Sequence, residues 1–188
     1  MRVLVTGGAG FIGSHLVDRL MAEGLRVRVL DNLASGSRAN LERWEGDPRF
    51  EFIGGDMLDR ETVRDAVEGC SRVYHMAANP EVRANKASPE DHFRQNIEAT
   101  YRLLEAVRNS KVELLVFASS STVYGEAEAL PTPESYGPLA PIRLYGASKL
   151  ACEAMITAYA SMYGFRAAIY RLANVVGPRS NHGVIWDF

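Results

Sequence analysis

Apolar and polar positions alternate between two periods along this chain. Short apolar runs, which predict buried strands, are each followed by a stretch with apolar residues at three- and four-residue spacing, which predicts a helix. Val3, Leu4 and Val5 form the first run, and Ile12, Leu16, Val17 and Leu20 fall on one face of the helix behind it. Arg26 to Leu30 reads as a second strand, residues 32–49 as a loop with a short helix around Ala39–Trp44, and Phe50 to Ile53 as a third strand. Asp59 and Glu61 mark the start of a short helix over Glu61–Glu68, and Arg72–Met76 reads as the fourth strand. A long helix is predicted over Asp91–Asn109, with Phe93, Ile97, Leu104 and Val107 near one face, followed by a fifth strand over Val112–Ala118. Residues 126–144 hold four prolines and little periodicity, so they read as a long loop over the strand ends. Tyr145 to Met162 is the next helix, where Ala147, Ala151, Ala154 and Ala158 make a stripe of small residues suited to close packing; Phe165–Tyr170 is the sixth strand. Strands alternating with helices argue an α/β fold with a doubly wound parallel sheet, whose ligand crevice lies at the C-terminal strand ends.

The turn after the first strand carries Gly7, Gly8, Gly10 and Gly13. Strand, glycine turn and helix together are the context a dinucleotide-binding fingerprint requires. One glycine permits the tight turn, another lets a pyrophosphate approach the main chain, and Gly13 lets the helix pack closely on the strand. The helix N-terminus, at Phe11 and Ile12, then offers free N–H groups and a positive dipole end to the phosphates. Both Gly8-x-Gly10-x-x-Gly13 and Gly7-x-x-Gly10-x-x-Gly13 fit. No Lys-Ser or Lys-Thr follows, which excludes a Walker A loop. Asp31 ends the second strand 18 residues past Gly13, where a carboxylate can accept from ribose hydroxyls and would repel the extra phosphate of NADP. NAD is therefore the expected cofactor. Asn32 adjoins Asp31, and Asp56 with Met57 follows the third strand, where an acid could meet the adenine amino group. Ala77 and Ala78 end the fourth strand, small enough for a flat cofactor to lie against the backbone. His75, in a strand among apolar neighbours, reads as a core histidine.

Composition narrows the partners. Net charge is −2 and the basic residues are scattered, so no nucleic-acid surface is expected. No apolar run approaches membrane-spanning length, and the first strand leaves no room for a signal peptide. Cys70 and Cys152 lack metal spacing and form no disulfide framework, so they read as buried thiols in a reduced, cytoplasmic setting. No metal is expected.

Tyr145 and Lys149 are four apart on the predicted helix and share a face. An ammonium beside a phenol favours the phenolate, so Lys149 would make Tyr145 a usable base. A hydroxyl from Ser120 would steady charge on a substrate oxygen. Ser119 and Ser121 flank it and leave that register open by one.

Gly7–Gly13, Asp31, Ala77-Ala78, Ser119–Gly125, Tyr145-Gly-Ala-Ser-Lys149 and Asn174–Pro178 together resemble the extended short-chain dehydrogenase/reductases. Among these the chain is most similar to NAD-dependent nucleotide-sugar epimerases and dehydratases, particularly the UDP-glucose 4-epimerase type. The resemblance implies a Rossmann-type NAD-binding domain over 1–179, with 180–188 beginning a substrate-binding region that is otherwise missing, so the 188-residue form could bind NAD yet turn over no substrate. It implies catalysis by Ser120, Tyr145 and Lys149, with Tyr145 and Lys149 also touching the cofactor. Ser120, Ser121, Thr122, Tyr145 and Asn174 would contact the nucleotide sugar, and Asn96 would match an asparagine of the cofactor region. It also implies epimerisation through a 4-keto sugar and a homodimer built from helices 91–109 and 145–162. The family's 4,6-dehydratases carry Asp-Glu after the catalytic Ser/Thr. Ser121-Thr122 stand there, which favours an epimerase over a dehydratase; a dehydratase, decarboxylase or reductase acting on another nucleotide sugar is the alternative. A non-catalytic NAD-binding module would have lost Tyr145 or Lys149. Sugar choice is expected to depend on loops such as Glu81–Ser88 and on residues beyond 188.

Overall fold

The computed structural model describes residues 1–81 and 88–180; most of the loop at Glu81–Ser88 and residues 181–188 lie outside the described residues. Six strands form one sheet: β1 (Arg2–Thr6), β2 (Arg26–Asp31), β3 (Phe50–Gly54), β4 (Arg72–His75), β5 (Leu114–Ser120) and β6 (Arg166–Leu172). Their order is β3-β2-β1-β4-β5-β6 and every pairing is parallel. The chain winds outward from β1 to β3, then crosses to the other side of β1 and winds outward again. This is the Rossmann-type doubly wound topology, and its switch point lies between β1 and β4.

Parallel sheets are covered on both faces, which is why β1 is a continuous apolar run rather than an alternating one. Val3 and Val5 pack with Val17, Leu20 and Met21 of α1 (Phe11–Ala22). Leu4 points to the other face and joins Leu103, Leu104, Phe117 and Ile156. That second layer comes from α2 (Arg60–Val67), α4 (Ala99–Val107) and α5 (Leu144–Tyr163). Each such fully buried aliphatic or aromatic side chain contributes about 1.5–3 kcal/mol. Arg28 interrupts the apolar pattern of β2. Its guanidinium donates to the carbonyls of Asp65, Ala66 and Glu68, each at 2.9 Å, and so closes the C-terminal end of α2. Cys70 and Cys152 are buried, free thiols, as expected. Among the described residues no helix is long and apolar enough to cross a membrane.

The helix expected over 91–109 departs from a regular α-helix. A capping box at Ser88 starts α3 (Pro89–His92), a π-helical stretch follows over Phe93–Glu98, and α4 continues it. The wider π turn shifts the helical register. Phe93 therefore points to solvent, 57% exposed, instead of sharing the buried face with Leu104. His92, Asn96, Ala99, Thr100 and Leu103 form that face in its place. The alanine stripe of α5 also points away from the sheet: Ala147, Ala154 and Ala158 are exposed. The inward face of α5 is instead carried by Gly146, Ser148, Lys149, Cys152, Glu153 and Ile156.

His75 is the core histidine its neighbours suggested. Its Nδ1 lies 2.7 Å from the Thr6 hydroxyl and its Nε2 lies 3.0 Å from that of Thr100. Burial holds its pKa down at about 3. The folded protein therefore refuses a proton that the unfolded chain accepts below about pH 6.5. Stability is unaffected by this group above that pH and is lost as pH falls toward 3, by about 3 kcal/mol at pH 4. Proton NMR is expected to keep the His75 ring neutral until the acid unfolding transition; a reversible titration near pH 6 in the folded protein would refute this.

Candidate functional site

The glycine turn is shaped by close backbone approach. Gly7 has φ +67° and its missing side chain would stand 2.6 Å from the Ala77 amide nitrogen. A Cβ on Gly13 would strike the Gly7 carbonyl oxygen. The turn is held by Gly10 N–H donating to Gly7 O at 3.2 Å and by Ser14 N–H donating to Gly10 O at 3.0 Å. No side chain caps α1 and its first turn carries no acid. The amides of Phe11, Ile12 and Gly13 are thus the open N–H groups of a helix start, aimed over the switch point.

Asp31 reaches this turn directly. Its Oδ2 accepts from the Ala9 amide at 2.9 Å and its Oδ1 accepts from the Leu33 amide at 2.8 Å. A carboxylate has about four acceptor sites, so Asp31 braces the turn and retains capacity for ribose hydroxyls. Asn32 lies beside it, exposed, and donates to Asp56 Oδ2 at 3.1 Å. Asp56 is exposed too, whereas the Met57 side chain is buried in the core, so Met57 can meet a ligand only through its backbone. Ala77 and Ala78, half-buried, continue from β4 directly opposite Gly7. Asn96, expected among the cofactor-binding residues as a structural asparagine, takes a structural place. It is 2% exposed: its Oδ1 accepts from the Asn79 amide at 2.7 Å and its Nδ2 donates to Ser148 Oγ at 2.8 Å. It ties the segment after β4 to α5, beside Lys149.

The three residues expected to carry chemistry converge. Ser120 ends β5 and opens a short 3₁₀ turn over Ser121–Tyr124. Its Oγ accepts from the Thr122 amide at 3.2 Å and the Thr122 hydroxyl at 2.9 Å, and its hydroxyl is close enough to the Tyr145 phenol to favour the phenolate. Of its neighbours, Ser119 donates to Glu153 and Ser121 is exposed. Lys149 is 3% exposed and its Nζ donates to the Ala118 carbonyl at 2.9 Å, 5.7 Å from the Tyr145 ring centroid. Burial lowers the Lys149 ammonium to about 8. Burial also raises the Tyr145 phenol above its ordinary range, and the Ser120 hydroxyl offsets this only partly. The net direction is thus opposite to the lowering expected from Lys149: burial is the largest influence on Tyr145, and the Lys149 ammonium donates to a strand carbonyl. The His92 ring packs edge-on to Tyr145, centroids 6.4 Å apart.

Two concavities flank this line. One of about 290 Å³ lies between the start of α1 (Phe11, Ile12, His15) and residues Val175–Pro178 beyond β6. The other, about 150 Å³, is walled by Thr122, Gly125, Ile142, Arg143, Tyr145 and Gly146. Asn174 is exposed on the segment that leaves β6 toward the first. A flat, two-headed ligand fits this layout: phosphates over the α1 N-terminus, one ribose at Asp31, and the other end against Tyr145 and Lys149. Sequence reasoning missed Glu153 and Arg171, which meet Ser119 behind Ser120. The signal was present, since Glu153 continues the Tyr145, Lys149 spacing by one more turn.

Comparison with known proteins agrees with this geometry. A UDP-glucose 4-epimerase of Mycolicibacterium smegmatis is 40% identical over 97% of this chain, which covers 59% of that protein. A crystal structure of a UDP-galactose 4-epimerase superposes with a TM-score of 0.91 at 49% identity, covering 100% of this chain and 61% of the other. The UDP-glucose 4-epimerase of Thermus thermophilus in complex with NAD gives a TM-score of 0.87 at 41% identity, covering 97% and 58%. A UDP-glucuronic acid decarboxylase and a dTDP-glucose 4,6-dehydratase are also similar. The chain thus spans about three-fifths of the length of the relatives it matches. The profile of the NAD dependent epimerase/dehydratase family matches residues 3–186, and the chain belongs to that family, whose cofactor is NAD.

Proposed function

We propose that this chain is the cofactor-binding part of a nucleotide-sugar 4-epimerase acting on UDP-glucose and UDP-galactose. The observation that carries the reading is the convergence of Ser120, Tyr145 and Lys149 at the switch-point crevice, with no acid beside them in the turn after Ser120. Ser121 and Thr122 occupy that turn, and the Thr122 hydroxyl is spent on Ser120. Loss of water from C5 and C6 of a sugar needs an acid and a base there, and these residues supply neither. Similarity to 4-epimerases supports the same choice.

Bound NAD supplies a reversible hydride acceptor. The open amides of Phe11, Ile12 and Gly13 would hold its pyrophosphate, and Asp31 its adenosine ribose. Asn32, Asp56 and the Met57 backbone would border the adenine, with Ala77 and Ala78 as the floor. Tyr145 takes the proton from the sugar 4-hydroxyl and returns it to the opposite configuration once the 4-keto sugar has turned over. Ser120 would turn its hydroxyl to the same sugar oxygen as a hydrogen-bond donor and stabilise the charge that develops there. Lys149 supplies a fixed positive charge against the Tyr145 side and a donor for the nicotinamide ribose. Ser121, Thr122 and Asn174 lie along the sugar-nucleotide side.

The deciding experiment supplies UDP-glucose and UDP-galactose to the natural full-length protein. Interconversion with no net NADH is expected; release of carbon dioxide or of a 4-keto-6-deoxy sugar would instead make it a decarboxylase or dehydratase. Asp31→Ala is expected to weaken NAD binding at least tenfold and to erase its preference over NADP, since about 1.4 kcal/mol is a factor of ten and each charge-assisted hydrogen bond supplies that much. A fluorescence titration with unchanged NADH affinity would remove Asp31 from the site.

The exposed faces of the π turn, α4 and α5 would join two copies. Phe93 and Tyr101, 57% and 40% exposed, stand with the outward alanines of α5. Sedimentation equilibrium is expected to give a dimer at micromolar concentration, and Ala154→Arg a folded monomer. A monomeric parent protein would end this assignment. The protein would work in the cytoplasm, where nucleotide sugars and NAD are held.

A further inference from the structure

Three successive turns of α5 are stitched to the end of β5. Tyr145 meets Ser120, Lys149 donates to the Ala118 carbonyl, and the Glu153 carboxylate accepts from the Ser119 hydroxyl at 2.5 Å. The third stitch has no part in the chemistry, yet it is the most elaborate. Glu153 is 6% exposed. Arg171 of β6, paired with Ser119 in the sheet register, grips it through Nη2 at 2.8 Å and Nε at 3.1 Å. The same guanidinium lies over the Tyr124 ring, 4.8 Å from its centroid, and donates to the Glu134 carbonyl in the long loop at 3.4 Å. One network thus joins α5, β5, β6, the 3₁₀ turn and the loop over the crevice.

A buried ion pair adds little net stability compared with an apolar pair of the same size, because desolvation cancels most of the attraction. Its use at this place is geometric. Ser120 keeps its place beside Tyr145 only while the strand end keeps its pleat, and the side chains of Ser119 and Ser120 leave opposite faces of that strand. Fixing one fixes the other. We propose that the Ser119–Glu153–Arg171 network is a positioning device that fixes the end of β5 and so keeps the Ser120 hydroxyl beside the Tyr145 phenol, with Ser119 as its final link. This rests on the reading of Ser120 and Tyr145 as the reacting pair.

The test is an ultraviolet difference titration of the Tyr145 phenolate in the natural full-length, NAD-loaded protein, with Tyr145→Phe as the reference. Lys149 on α5 and His92 on α3 also face the phenol and are the same in every variant compared. Ser119→Ala is expected to raise the Tyr145 midpoint by about one pH unit, the size that one hydrogen bond to a charged group supports. It is also expected to lower kcat about tenfold at neutral pH with KM for the sugar nearly unchanged. Ser119→Thr, which restores the hydroxyl, returns both to the parent values. Should Ser119→Ala fail to fold, Glu153→Asp, whose carboxylate falls one methylene short of Ser119, gives the same upward shift. An unmoved midpoint in a folded Ser119→Ala or Glu153→Asp protein overturns the proposal. Full turnover by Tyr145→Phe overturns the reading beneath it instead, so the two failures are told apart.

Discussion

Tyr145→Phe is expected to lower turnover of the nucleotide sugar about 10³-fold while NAD stays bound with little change in affinity. On the proposed mechanism the phenol oxygen carries the proton of the sugar hydroxyl, and positioned general acid–base groups are worth about 10²–10⁴ in rate. Removing the hydroxyl leaves a ring of the same shape against His92 and releases the Ser120 proton to solvent or substrate. No buried cavity opens, so the fold should be retained. The measurement is kcat and NAD content on the same preparation. A variant that loses both together would mean Tyr145 acts by shaping the cofactor site rather than by moving a proton, and one that loses neither would remove Tyr145 from the chemistry.

Lys149→Met is expected to separate stability from activity. Lys149 is 3% exposed, and burial lowers its ammonium from 10.5 to about 8. That shift corresponds to roughly 3 kcal/mol against the folded state while the lysine is charged in both states, below about pH 8. Methionine keeps most of the alkyl stem and removes the charge, although the Ala118 carbonyl loses its donor, which costs about 1–3 kcal/mol. The net expectation is a gain of about 1 kcal/mol at pH 7. The gain fades between about pH 8 and 10.5, where the folded lysine is already neutral and the unfolded one progressively becomes so. Activity falls at least a hundredfold, the scale for loss of one oriented charged donor. Denaturant melts at pH 7 and pH 10 check both signs. A variant less stable at pH 7 than at pH 10, relative to its parent, would contradict the buried-charge account.

Much of this was legible from residue order. Val3-Leu4-Val5 followed by the glycines could hardly be anything but a covered strand and a phosphate turn, because both faces of a central parallel strand are apolar. Asp31 was legible because its position at a strand end is set by topology; its hold on the Ala9 amide was not, since that depends on how the turn folds back. Ser120, Tyr145 and Lys149 were found by spacing and by resemblance. The state of Tyr145 was not, because the pull of an ammonium and the penalty of burial oppose each other, and only coordinates tell which way the Nζ points. The alanine stripe misled for a related reason: small residues fit close packing wherever they face, and periodicity does not say toward what. Phe93 was misplaced because the search for helical faces assumed a uniform turn.

That wider turn over Phe93–Glu98 has a consequence for how such a sequence can change over generations. It lets α3 and α4 each present its own inward face while Asn96 still reaches Asn79 and Ser148. Loss of a single codon within it would restore a regular helix, and everything on one side would rotate by about 100° relative to the other. Point replacements along this helix alter one contact at a time, whereas a one-residue deletion would swing Asn96 away from both of its partners at once. Reading-frame-preserving deletions, more than substitutions, are what this part of the chain is least able to absorb.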